Sequence, residues 1–309
     1  MNFSRREWIA GLALTPHAVQ RGVAAQAPGF TRSICSVIFP PKTPVPQMFR
    51  LAKAAGFDAM ELRLGTDGAD IDIPLDSSAV ALRDLRAAAS LNGLRIASLW
   101  VSQPLGQNPL NSPDAEQRAK GVAAIQRATE IAAALNCGAL LLVPGRLGNG
   151  SKLVTGYEET WKLFTAELAK CLPAAESHKV ILTPENVWNK FLVSPLEMRS
   201  FVDQFQSPWL GAHFDMGNVM QFGYPEDWIR ILGPRIKRVH VKDYKLSARA
   251  EQGRFVPLLE GDVNFAAVMK ALVETGYHGF LSPEIGYDPN LPDQLTKVAE
   301  QLNRIIAMA

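Results

Sequence analysis

From residue 34 onward the chain alternates short aliphatic or β-branched runs with longer amphipathic stretches, the pattern of parallel strands joined by crossover helices. Eight such pairs can be read. The expected strands are 34–39, 58–64, 95–100, 139–144, 180–185, 210–215, 236–242 and 279–285. The expected helices fall at 44–55, 77–92, 114–136, 157–177, 195–205, 225–232, 264–275 and 292–307. Ser112-Pro113-Asp114 and Ser194-Pro195 place a capping hydroxyl before a first-turn proline, and Gly56, Gly93, Gly138 and Gly276 mark helix ends. An open doubly wound sheet shares this alternation, but eight units without a glycine-rich dinucleotide turn favour closure. The pattern therefore predicts a single (β/α)8 TIM barrel over residues 28–309.

Two longer connections stand out. Residues 101–112 and 243–263 follow the third and seventh strands, on the face where such barrels build their sites, and both are expected to cover a substrate.

Four apolar runs end in a residue that can bind a cation: Glu185 in VILTPENVW, Asp215 in WLGAHFDMGN, His240 in IKRVHVKD and Glu284 in GFLSPEI. Their spacings of 30, 25 and 44 residues suit one ligand per βα unit, and they fall on strands five to eight. Alone, each carboxylate reads as a helix cap and the imidazole as a hydrogen-bonded core group. Three carboxylates gathered at an apolar rim repel one another unless a cation compensates them. Oxygen-rich ligation with one imidazole suits Mn²⁺ or Mg²⁺, with Co²⁺ also compatible, and there is no cysteine cluster for a structural zinc.

The N-terminus carries Arg5-Arg6, an apolar stretch from Ile9 to Leu14, and Ala25-Gln26-Ala27. The order matches a twin-arginine export signal over residues 1–27, which implies a periplasmic or otherwise exported enzyme. The stretch is too short to span a bilayer, so no membrane anchor is expected once the signal is removed. Cleavage would remove three arginines and one glutamate, leaving 29 basic and 29 acidic side chains. A neutral chain argues against nucleic acid as a partner. Cys35, Cys137 and Cys171 are odd in number and lie within predicted elements, so they read as buried apolar residues. A homo-oligomer is compatible with the sequence, which does not decide it.

TPEN at Glu185, HFDMGN at Asp215, HVKD at His240 and SPEI at Glu284, with the eight-unit pattern around them, resemble the xylose-isomerase-like sugar isomerase and epimerase superfamily. The nearest likeness is to its ketose 3-epimerase and hydroxypyruvate isomerase branch. The resemblance implies that Glu185, Asp215, His240 and Glu284 bind one divalent ion. It also implies that Glu185 and Glu284 are catalytic, exchanging a proton of a sugar substrate through an enediolate. The chain departs from the ketose 3-epimerase pattern at three positions. Phe191 replaces a second glutamate, Asn218 stands where histidine is common, and Leu246 stands where a substrate-binding arginine is expected.

Glu61, Trp100, Trp188, Asn218 and Lys242 are the remaining substrate-binding candidates, each with a structural alternative: an ion pair for Glu61 and Lys242, plain packing for the tryptophans. No phosphate-gripping loop is evident. Apurinic-site endonucleases share the superfamily but need many histidines, and this chain has five. Two other functions fit the same residues. A keto-sugar lyase or hydratase, acting on 3-keto-glycosides, would form the same enediolate and then expel a leaving group. A non-catalytic carbohydrate-binding barrel would keep the shape but has no need of two opposed glutamates.

Overall fold

The computed structural model describes residues 29–66, 68, 71–149, 151–247 and 253–309. The export signal expected at 1–27 lies outside them. Eight parallel strands form the barrel wall: β1 Thr31–Cys35, β2 Ala59–Gly65, β3 Arg95–Trp100, β4 Ala139–Leu142, β5 Ile181–Pro184, β6 Ala212–Asp215, β7 Ile236–Val241 and β8 Phe280–Pro283. Each pairs in parallel with its chain neighbours, and β8 returns to β1 through Thr31 opposite Phe280. Between β5 and β6 the seam is closed by two bridges, Leu182 with Leu210 and Glu185 with His213.

Eight helices follow the strands: α1 Val45–Ala54, α2 Ala79–Leu91, α3 Ala115–Ala134, α4 Tyr157–Ala169, α5 Pro195–Asp203, α6 Pro225–Leu232, α7 Phe265–Glu274 and α8 Gln294–Ile306. They pack on the barrel through apolar stripes. In α1 the buried residues are Val45, Met48, Phe49 and Ala52, spaced i, i+3, i+4, i+7, so a single face meets the sheet. Ser194 caps α5 as expected, in a reciprocal pair with Glu197. No helix among the described residues is long and apolar enough to cross a membrane.

Four local expectations need correction. The first strand lies at Thr31–Cys35 instead of 34–39, because Ser36–Ile38 forms a 3-10 turn; its buried Ile38 and the adjacent Phe39 give a run that only looks like strand. The helix expected over 157–177 is two pieces, α4 and Leu172–His178, the second opening with Pro173. Asp114, not Ser112, caps α3 through Glu116 N. The left-handed turn before β4 is made by Asn136, not Gly138. Within the two long connections, Ser102–Gln107 is helical, and Asp243–Lys245 pairs antiparallel with Arg254–Val256 as a hairpin.

Candidate metal centre

Strands β5 to β8 deliver their four candidates to one place. One donor atom from each of Glu185, Asp215, His240 and Glu284 lies within 4.8 Å of all the others. His240 is fully buried at the centre. Its Nδ1 stands 3.0 Å from Glu185 Oε1, 2.9 Å from Glu284 Oε2 and 3.8 Å from Asp215 Oδ2. One nitrogen cannot satisfy three carboxylates. Buried Asp215 Oδ2 and Glu284 Oε2 accept no well-directed hydrogen bond, although the Lys242 ammonium is 3.0 and 2.7 Å away. Convergent, under-satisfied oxygens around one imidazole are what a small divalent cation would occupy, so the residues present fit such an ion.

Neighbouring polar groups hold the ligands in place. Asp215 Oδ1 accepts from Asn218 N, capping the short helix Met216–Val219 and leaving Oδ2 for the centre. Asn186, directly after Glu185, donates Nδ2 to Asp215 O and accepts Asp215 N, both at 2.8 Å. Asn218 Nδ2 in turn donates to Asn186 O. Asn218 therefore clamps β5 to β6 through its backbone N–H and its side-chain NH2. Asn186 was not singled out from the sequence; its position beside Glu185 in TPEN was the available signal.

Glu61 is placed as the partner of His240, the ion-pair alternative. It is 1% exposed, on the far side of the imidazole, where His240 Nε2–H donates to Glu61 Oε1 at 2.9 Å. Ser98 of β3 donates to its other oxygen, and the Cys35 thiol donates to Oε1 at 3.4 Å. Burial works against the charge of Glu61, but His240 beside it holds the carboxyl down to about 2. With a cation bound among the carboxylates, donation from Nε2–H to Glu61 would leave the Nδ1 lone pair facing that ion. Cys35 with Glu61 and His240 forms a second group of ligand-type side chains, but burial, with the Glu61 charge, pushes the thiol well up and keeps it protonated. His213 packs its ring 4.1 Å from that of His240, and burial pushes it well below the usual histidine range, so it is neutral.

The two glutamates experience different fields. Burial raises Glu185 to about 7. Burial acts the same way on Glu284, but the charges of His240 and Lys242 override it and bring the carboxyl down to about 2. Lys242 itself is kept protonated against burial by Asp215, Glu284 and Glu185.

The aromatic candidates separate. Trp188, 44% exposed, donates Nε1 to Asn218 O and stacks on Phe255 of the hairpin, with centroids 5.0 Å apart and planes at 19°. The Phe255 ring stands 5.3 Å from Lys242 Nζ, so the hairpin after β7 reaches over the centre as its length suggested. Phe255 had no sequence signal, since 67 residues separate it from Trp188. Trp100 ends β3 and lines a separate cavity of about 220 Å³ with Arg63, Ser102 and Gln103. Its buried indole N–H has no hydrogen-bond partner among the described residues. Phe191 belongs to the core, packed among Tyr157, Trp161, Phe164 and Phe201. Leu246 is 43% exposed.

Comparison with known proteins agrees with this architecture. A protein of Escherichia coli (strain K12), provisionally assigned as an L-ribulose-5-phosphate 3-epimerase, is 28% identical over 76% of this chain and 81% of its own length. A solved D-tagatose 3-epimerase-like protein superposes with a TM-score of 0.72 at 21% identity, covering 90% of this chain and 97% of the other. An L-ribulose 3-epimerase structure does so with 0.71 at 20%, covering 90% and 93%. The family model described as xylose isomerase-like TIM barrel matches residues 49–307, and the chain belongs to that family.

Proposed function

We propose that the protein is a divalent-metal-dependent sugar isomerase or epimerase that moves the proton beside the carbonyl of a ketose or keto-sugar. The observation that carries this reading is the pairing of Glu185 and Glu284 at the two ends of a four-strand arc, both within 3.0 Å of the same nitrogen of His240. The 28% identical relative supports the same class and favours the third carbon.

Glu185, Asp215, His240 Nδ1 and Glu284 would hold the ion, with Mn²⁺ or Mg²⁺ best suited to the donor set and Co²⁺ also compatible. Such an ion polarises a carbonyl and acidifies the adjacent C–H. The protein supplies the proton transfers. One of Glu185 and Glu284, ionised, takes the proton, and the other, entering protonated, returns one from the opposite end of the arc. The Lys242 ammonium donates to the oxygen on which negative charge develops. Phe255 and Trp188 keep water from the exposed side. The twin-arginine pattern supports export of the enzyme.

Proton NMR in deuterated water tests the reading. With Mn²⁺ present, deuterium should enter beside the carbonyl of a free ketose or 3-keto-glycoside, and chelation should stop it. Release of an aglycone instead would assign a lyase, and the absence of metal-dependent exchange across the panel would leave a binding protein.

A further inference from the structure

One large cavity runs outward from Lys242 and Glu284, beyond the groups that transfer the proton. It has a volume of about 670 Å³ and opens beside Lys242 and Glu284, between the hairpin strand Arg254–Val256 and α8. Phe255, Val256 and Pro257 form one wall; Gly286, Gln294, Val298 and Gln301 form the other. The wall is built before any ligand arrives. Gln294 donates to Gly286 O and accepts from Asp288 N, and Gln301 donates to Leu258 O, tying α8 to the loops on both sides.

Length and charge indicate the occupant. The reacting carbon has to sit against Glu284, yet the wall runs on from Gln294 to Gln301, roughly 10 Å along the helix. Its volume lies near the middle of the roughly 300–1,000 Å³ range of pockets that hold drug-sized ligands. Beyond the metal centre the carboxylates of Glu260 and Asp288 outnumber the ammonium group of Lys297, and no arginine lines the space. A phosphate would meet a net negative wall despite the nearby start of α8. An uncharged ring would meet hydroxyl partners in Glu260 and Asp288 and the face of Phe255, which is 44% exposed.

We infer that this cavity holds a second, uncharged sugar joined to the ketose, so that the enzyme acts on keto-glycosides or keto-disaccharides in preference to free or phosphorylated ketoses. The inference rests on the isomerase reading for the placement of the reacting ring, and a binding measurement separates the two.

The test uses calorimetry on the Mn²⁺-loaded full chain with D-fructose, D-fructose 6-phosphate and a panel of neutral keto-disaccharides (isomaltulose, turanose and lactulose). At least one disaccharide should bind about tenfold more tightly than fructose, and the phosphate no more tightly than fructose. Gly286→Phe should abolish the disaccharide advantage and leave fructose affinity unchanged, because a Cβ at Gly286 meets no atom within 4 Å and the backbone needs no adjustment. Equal affinity for all sugars, tightest binding of the phosphate, or an undiminished disaccharide advantage in Gly286→Phe would overturn the inference. Deuterium exchange on the same samples reports the isomerase reading independently.

Discussion

The two halves of the barrel wall are made of the same apolar strands but finish differently. Strands β1 to β4 end in Cys35, Gly65, Trp100 and Leu142, whereas β5 to β8 lead into Glu185, Asp215, Lys242 and Glu284. The first half is mostly packing. Leu140, Leu141 and Leu142 of β4 are all fully buried. In the second half, charges are crowded around one imidazole and rely on clamps such as Asn186 to stay aimed. One ring of strands thus separates the residues that stabilise it from those that react, and Glu61 is the exception: it comes from β2 and serves His240 of β7.

Three substitutions probe that division. Glu284→Gln, in the reactive half, should slow deuterium exchange by about 10²–10⁴-fold while the melting temperature stays near that of the wild type. A comparable loss of thermal stability would mean that the carboxylate is structural. Leu140→Ala, in the packing half, should cost about 2–5 kcal/mol in denaturant unfolding, with Mn²⁺ affinity unchanged once the protein is folded. A marked fall in affinity would show that the two halves are coupled. Glu61→Gln should have the mixed signature of its position, weakening Mn²⁺ binding by about 10–100-fold in calorimetry with a smaller effect on stability. Unchanged affinity would remove Glu61 from the positioning of His240.

What could be read from the chain follows the range of the interactions. The βα repeat is local periodicity, so α6 appears at the expected 225–232 and the other helices end within a few residues of expectation, apart from the break after α4. The convergence of Glu185, Asp215, His240 and Glu284 was legible because the barrel brings the ends of successive strands together, and a residue's place at a strand end is visible in the chain. Glu61 and Asn218 were recognised as unusual residues but assigned to substrate, since nothing local shows that one lies beneath His240 and the other spans β5 and β6. The stacking of Phe255 on Trp188 depends on how a hairpin folds back across the rim, and periodicity carries no information about that.

The hairpin is also secured in a particular way. Asp243, the residue after Lys242, accepts from Tyr244 N at one end of the connection and from Gly261 N and Val263 N at the other. Gly261 permits this closeness, because a Cβ there would lie 2.1 Å from Asp243 Oδ1. A single carboxylate therefore draws the two ends of the segment together, much as a drawstring closes a bag. The hairpin is thus hung from a point one residue beyond Lys242, so the placement of Phe255 over the centre is set at the base of the connection. A change at Asp243 would therefore be felt at the far end of the hairpin as well as beside Lys242.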